Sequence, residues 1–217
     1  NNDDYNIRLN SIKRITSQRN KISEALEIAD KEDLVFYSDN DEIPNLSGID
    51  LERINKKIII FEQKLFYYKF NLYLDRINWY GTRAIKKKNL TTFQQLREIK
   101  PKKYSFYRLD TLFKKNKFID LEIIKNGGWH FTRILSPQDI HNRELETEHS
   151  DEYLKANKDS KKIEDLINRK VIDHDHLVDK KKYKFSREFK LKTLPIDQMP
   201  IYIQDNVVKY SNYLDLE

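Results

Sequence analysis

Hydrophobic positions along the chain fall into two rhythms. From Tyr5 to Ala29 the apolar residues Ile12, Ile15, Ile22, Leu26 and Ala29 recur at close to helical spacing with no Pro or Gly between them, which predicts an amphipathic helix. Asp33-Leu34-Val35-Phe36-Tyr37 is then a short continuous apolar run, the mark of a buried strand, and it opens directly onto Ser38-Asp39-Asn40-Asp41-Glu42-Ile43-Pro44. Further on, the pattern predicts a helix over Asp50 to Asn55, a strand over Lys57 to Phe61 and an extended aromatic segment from Leu65 to Leu74. Trp79-Tyr80-Gly81-Thr82 reads as the turn that closes it. A Thr-initiated helix is expected over Thr91 to Ile99. Two strands, Leu121 to Ile124 and Trp129 to Ile134, stand around a glycine turn at Asn126-Gly127-Gly128. Ser136-Pro137 starts another helix, Lys161 to Asn168 is a further one, and Lys180 to Lys192 is a charged, exposed stretch.

Helix, buried strand and loop in succession make an α/β unit, and in open α/β sheets ligands gather beyond the carboxyl ends of strands. The acidic loop falls at such a place. Asp39 and Asp41 are one residue apart, so at an extended strand end both carboxylates can point to one side and face a single Mg²⁺ or Mn²⁺. Water and phosphate oxygens would fill the remaining positions on the ion. An EF-hand calcium loop is excluded, because counting from Asp39 the fifth position is Ile43 and the sixth Pro44, where an oxygen ligand and a Gly are needed. The alternative reading of the segment is an acidic surface turn.

Composition narrows the classes. At 217 residues with 38% hydrophobic and 12% aromatic positions, the chain can bury a core, and one compact domain spanning 1–217 is expected. The net charge of +6 is small beside 41 basic and 35 acidic residues, so most of it reads as a mixed solvated surface rather than a nucleic-acid footprint. There are no cysteines, which removes disulfide and thiolate-metal frameworks, and no apolar run approaches the roughly 18 to 20 residues that cross a bilayer. The opening residues do not form a signal peptide.

Four glycines occur in the whole chain, and two are adjacent in Gly127-Gly128-Trp129-His130. There the main chain could pass close to a ligand, with Trp129 offering a flat face to a sugar and His130 a polar contact, or the segment could be a plain hairpin turn. His149 and Glu152 stand three apart, near enough to share a helical face. The His could join a metal shell, and the Glu, or Asp151 or Glu42, could act as general base. Arg19 and Arg97 are candidates for pairing with phosphate. His174-Asp175-His176 has no third ligand nearby and reads as a solvated loop.

Taken in order, the SQRN around Gln18, DLVFYSDNDEIPN, FYYKFNL, WYGT, Leu96-Arg97, GGWHFT, HSDEY from His149 to Tyr153 and the closing IYIQDNVVKYSNYL resemble glycosyltransferase family 17. That family includes β-1,4-mannosyl-glycoprotein 4-β-N-acetylglucosaminyltransferase. The resemblance implies a GT-A-like fold, a Rossmann-type mixed sheet flanked by helices, and since family members carry a further strand, helix and strand upstream, the domain spanning 1–217 is expected to be N-terminally incomplete. It implies inverting transfer of a sugar, N-acetylglucosamine above all, from a UDP-sugar donor to a glycan or glycoconjugate acceptor. It further implies Mn²⁺ or Mg²⁺ on Asp39 and Asp41, donor or acceptor contacts from Gly127, Gly128, Trp129 and His130, and a match of His149 and Glu152 to the family's later His-x-x-Glu pattern. Glu152 is the favoured base, with Asp151 and Glu42 as substitutes. A bacterial or viral member would be cytoplasmic and an anchored eukaryotic one Golgi-lumenal. The rival readings are a non-catalytic glycan- or nucleotide-binding module on the same fold and, further off, a nucleic-acid binder.

Overall fold

The computed structural model describes residues 2–105, 107, 113, 116–146, 150–177, 184–185 and 187–216. In chain order the main elements begin with α1 (Asn2–Lys21), extended by a 3₁₀ turn at Ile22–Leu26, then β1 (Leu34–Tyr37), β2 (Glu42–Pro44), β3 (Ile58–Tyr67) and β4 (Leu72–Lys86). They continue with α2 (Phe93–Glu98), β5 (Leu121–Ile124), β6 (Gly128–Thr132), α3 (Pro137–Glu146), α4 (Ser150–Lys155) and α5 (Ser160–Asn168). The last are β7 (Val171–Ile172), β8 (Phe189–Lys190), β9 (Lys192–Thr193) and α6 (Ile201–Gln204). The fold is mixed α/β. Seven strands form one mixed sheet along the path β1-β4-β3-β6-β2, with β5 also on β3 and β9 also on β4, while β7 and β8 make a separate ribbon.

The chain divides into two compact units whose segments alternate. One, the turn unit, comprises Lys13–Gln63 and Trp79–His130; the other, the tail unit, comprises Asn1–Ile12, Lys64–Asn78 and Phe131–Glu217.

In the turn unit, Ile58-Ile59-Ile60-Phe61 of β3 are all 2% exposed or less. A continuous apolar run is what a strand covered on both faces requires, since successive side chains point to opposite sides. Ile58 and Ile60 join Val35, Tyr37, Ile85, Phe93 and Leu96 in one cluster, which α2 covers. Ile59 and Phe61 join Ala84 in a second, against which Leu34, Phe36, Leu51 and Ile54 pack. Helix α2 begins where expected because the Thr92 hydroxyl accepts from the Gln95 N–H at 3.1 Å.

Several expectations are corrected here. Residues 50–55 hold only a 3₁₀ turn, Leu51–Arg53. β1 does lie where it was expected, as an edge strand paired antiparallel with β4 through Leu34↔Lys86 and Tyr37↔Arg83. Trp79 to Thr82 is no turn but lies inside the 15-residue β4. β5 and β6 do not form a hairpin: β5 runs parallel to β3 and β6 antiparallel to β2. Between them Gly127 keeps both main-chain groups bonded, its N–H to Glu62 O at 2.7 Å and its carbonyl to the Asn45 N–H at 2.8 Å.

In the tail unit the Phe66 to Phe70 aromatics are core. Phe66 meets Phe131 at 5.3 Å, and Phe70 packs edge-on to Phe131, Tyr210 and Tyr213 at 5.2 to 6.3 Å. The chain reverses at Tyr68, whose φ of 64° is left-handed. The C-terminal segment clasps this reversal: the Asn71 side chain donates to Asp215 O and accepts from its N–H, both at 2.7 Å. Lys170 and Thr193 hold the Asp215 carboxylate at 2.8 and 2.5 Å. Helix α3 starts at Pro137 as expected, with Ser136 accepting from the Asp139 N–H. Helix α5 starts one residue before the expected span, on an Asp159 cap, and buries Ile163 and Leu166.

His174-Asp175-His176 is no solvated loop. His174 and His176 are half-buried with rings 4.4 Å apart, and His176 Nε2 is hydrogen-bonded to the Tyr67 hydroxyl. Nearby lie two ion pairs with little solvent access, Lys158–Asp173 at 2.6 Å and Arg133–Glu144 at 2.8 Å. Burial, then the charges of His176, Arg133, Lys184 and Lys158, hold the His174 pKa down at about 3.

Candidate active site

The acidic segment is not an extended strand end. Glu42 donates its N–H to Asp39 O at 3.0 Å, so Asp39 to Glu42 is a tight turn between β1 and β2. The turn points its three acids to different tasks.

Glu42 is the buried one, with a side chain 0% exposed. Its Oε1 accepts from Trp79 Nε1 and from an Arg97 nitrogen, each at 2.7 Å. Its Oε2 accepts from the other terminal nitrogen of Arg97 at 3.0 Å and from the Asp39 N–H at 3.1 Å. A carboxylate gripped bidentately by a guanidinium and by two further N–H donors is saturated. Glu42 thus fixes the turn to β4 and α2. Arg97 also donates to Gly81 O at 3.0 Å. Burial pulls the Arg97 pKa down, but the Glu42 and Asp39 carboxylates outweigh it and the net shift is upward.

Gly81 is a glycine for a steric reason. A Cβ there would land on the Gln63 side-chain oxygen and come within 2.7 Å of Glu42 Cδ. Gln63 in turn donates to Thr82 Oγ1 at 3.2 Å, and that hydroxyl is 2.6 Å from Ser38 Oγ. The mid-strand glycine is what lets β4 pass close enough to hold the turn.

Asp39 and Asp41 keep about a third of their side-chain surface, 31% each. Asp39 Oδ1 accepts from the Tyr37 hydroxyl at 2.6 Å, while its Oδ2 faces Arg97 at 3.0 Å and Arg19 at 3.5 Å. Burial, then the bond to Asp39, pushes the Tyr37 hydroxyl up to about 12, so it remains a donor. Asp41 Oδ2 stands 3.4 Å from His130 Nε2. His130 is itself buried on β6, opposite Glu42 in the strand register, with its ring 4.4 Å from that of Trp79. Deeper in, Arg83 is 4% exposed and donates to Leu96 O at 2.5 Å; burial, then the charge of Arg97, lowers its pKa to about 10.

The structure therefore gathers Arg19, Asp39, Asp41, Glu42, Arg97 and His130 in the turn unit. Alongside, Gly127 stands just before β6 and Gly128 opens it. Gly128 has φ 137°, and a Cβ there would strike Ile43 O. Trp129 is half-buried opposite Ile43. Asp151 and Glu152 are on α4 in the tail unit, and His149 lies outside the described residues. Tyr37, Trp79, Gly81 and Arg83 belong to the site although sequence reasoning did not place them there. For the last three the signal was WYGTR itself, an unbroken strand segment once its glycine is not taken for a turn.

Among the described residues no group of three or more His, Asp and Glu is arranged to hold a metal ion. Two partly open carboxylates nonetheless suit a hard cation that takes most of its ligands from water and a substrate's phosphates. Among the described residues no helix is long and apolar enough to cross a membrane. The class thus defined is a mixed α/β protein with an acidic turn braced by buried arginines. No family model, curated protein or solved structure matches this chain.

Proposed function

We propose that the chain is the catalytic part of a metal-dependent glycosyltransferase of family 17 type, with a GT-A-like arrangement of its sheet, that moves N-acetylglucosamine from a UDP-sugar to a glycan hydroxyl. The observation that carries the reading is the Asp39 to Glu42 turn. It leaves two carboxylates partly open at the end of a strand while the third anchors them through Arg97 and Trp79. Asp39 and Asp41 would hold Mn²⁺ or Mg²⁺, which supplies charge neutralisation for a departing nucleoside diphosphate. Tyr37 and His130 orient the two carboxylates, and Arg97, fixed by Glu42, keeps a positive charge beside Asp39.

Glu42 is a positioning residue in this scheme, because all four of its lone-pair directions are engaged. A rate measurement tests the whole: UDP release from UDP-N-acetylglucosamine with Mn²⁺ and an N-glycan acceptor, compared with Asp41→Asn. The substitution is expected to lower turnover at least about 100-fold, the scale of losing one preorganised electrostatic contact to a transition state. Its circular-dichroism spectrum should be unchanged. Normal turnover in Asp41→Asn would remove the acidic turn from the chemistry.

A further inference from the structure

We propose that Arg19 is an exchangeable counter-ion: it neutralises Asp39 when no divalent cation is bound, and it swings to the phosphates of the nucleotide when one is. This rests on the metal and UDP-sugar reading above and adds to it an order of events and a role for one residue.

The two arginines at Asp39 are held very differently. Arg97 makes two bonds to the buried Glu42 carboxylate and one to Gly81 O, with 14% of its side chain exposed, so moving it would strand a carboxylate that has no solvent access. Arg19 stands in the last turn of α1, contacts Asp39 Oδ2 at 3.5 Å and donates to the Gln94 side-chain oxygen at 3.1 Å. Both of these partners reach the surface. Arg19 is 22% exposed and also bonds to the Tyr37 hydroxyl, but its carboxylate partner Asp39 keeps 31% of its side chain in solvent, so of the two guanidiniums Arg19 is the one that can leave without stranding a buried charge.

The charge at Asp39 gives the exchange its direction. Its carboxylate already carries the Tyr37 hydroxyl and Arg97, and Arg19 adds a second guanidinium on the oxygen that faces Arg97. A dication approaching that oxygen is repelled by both cations, and only one of them is free to move. Departure of Arg19 opens Asp39 and at the same time releases a fork-shaped donor beside a site where a diphosphate would arrive, the partner for which a guanidinium is best shaped. Cation and nucleotide should therefore bind cooperatively, and the cation alone only weakly.

The test uses Arg19→Gln and Arg19→Lys in the full chain, with Mn²⁺ followed by electron paramagnetic resonance of the free ion and UDP followed calorimetrically at saturating Mn²⁺. Arg19→Gln should bind Mn²⁺ alone about threefold or more tightly than the parent, the scale of one removed surface charge, and should bind UDP with Mn²⁺ about tenfold or more weakly, the scale of one lost charged hydrogen bond. Arg19→Lys should keep the parent's Mn²⁺ affinity. Opposite signs for the two ligands are the signature, because a purely structural Arg19 would weaken both. Weaker Mn²⁺ binding in Arg19→Gln, or unchanged UDP binding, overturns the exchange. Mn²⁺ binding that survives Asp41→Asn instead overturns the metal reading itself, and the two failures are distinguishable.

Discussion

Replacing Glu42 by Gln tests the frame under the site directly, because the two side chains have the same shape and only the charge and two acceptor positions change. Each carboxylate oxygen of Glu42 faces two N–H donors: Trp79 and Arg97 on one, Arg97 and the Asp39 main chain on the other. Whichever way the amide of Gln is turned, its NH₂ meets two donors and no acceptor. Arg97 is also left near Arg83, which is 4% exposed, with its principal counter-charge gone. Removing one partner of a buried ion pair costs about 3 to 5 kcal/mol, a large part of the roughly 5 to 15 kcal/mol by which a folded chain is stable. Urea unfolding followed by tryptophan fluorescence measures it, since Trp79 lies in the frame. The double variant Glu42→Gln/Arg97→Met should lose clearly less than the sum of the two single changes, because it removes the orphaned charge as well. If Glu42→Gln lies within about 1 kcal/mol of the parent, or the two changes add, the saturated-carboxylate argument is wrong.

Gly81→Ala should cost about 1 to 3 kcal/mol by thermal or urea denaturation, because the new methyl competes with the Gln63 and Glu42 side chains. Lys158→Met should be destabilising by about 3 kcal/mol through the stranding of buried Asp173, while Lys158→Met/Asp173→Leu should recover most of the loss. His174 gives a pH signature: its folded pKa is lowered from 6.5 to about 3, so the unfolded chain binds the proton first as pH falls. Its stabilisation is thus complete above about pH 6.5 and declines between there and pH 3. The loss at pH 5 is about 2 kcal/mol at most, and His174→Phe should remove that part of the pH dependence in urea titrations at pH 7.5 and 5.

Local chemistry was legible in the sequence. The Thr92 cap, Pro137 at the start of α3 and the apolar run of β1 each act within a few residues, and each element stands close to where it was read. Distant pairing was not legible. Trp79-Tyr80-Gly81-Thr82 carries a turn's composition, but its glycine answers to Gln63 and Glu42, 18 and 39 positions earlier in sequence, so the strand continues. The glycine pair before Trp129 likewise looks like a hairpin until the flanking strands are known to pair elsewhere, β5 with β3 and β6 between β3 and β2. The acidic turn was located correctly, yet the division of labour within it was not. That Glu42 would be buried depends on Trp79 and Arg97, 37 and 55 residues away.

The alternation of segments has a consequence for anyone wishing to dissect this molecule. The chain passes from one unit to the other after Ile12, Gln63, Asn78 and His130, so no continuous stretch of polypeptide encodes either unit. Expressing the first or second half alone would yield incomplete cores. Co-expressed fragments cut at an exposed loop have to reassemble by complementation, and a graft of the acidic turn into another scaffold must bring two separate lengths of chain with it.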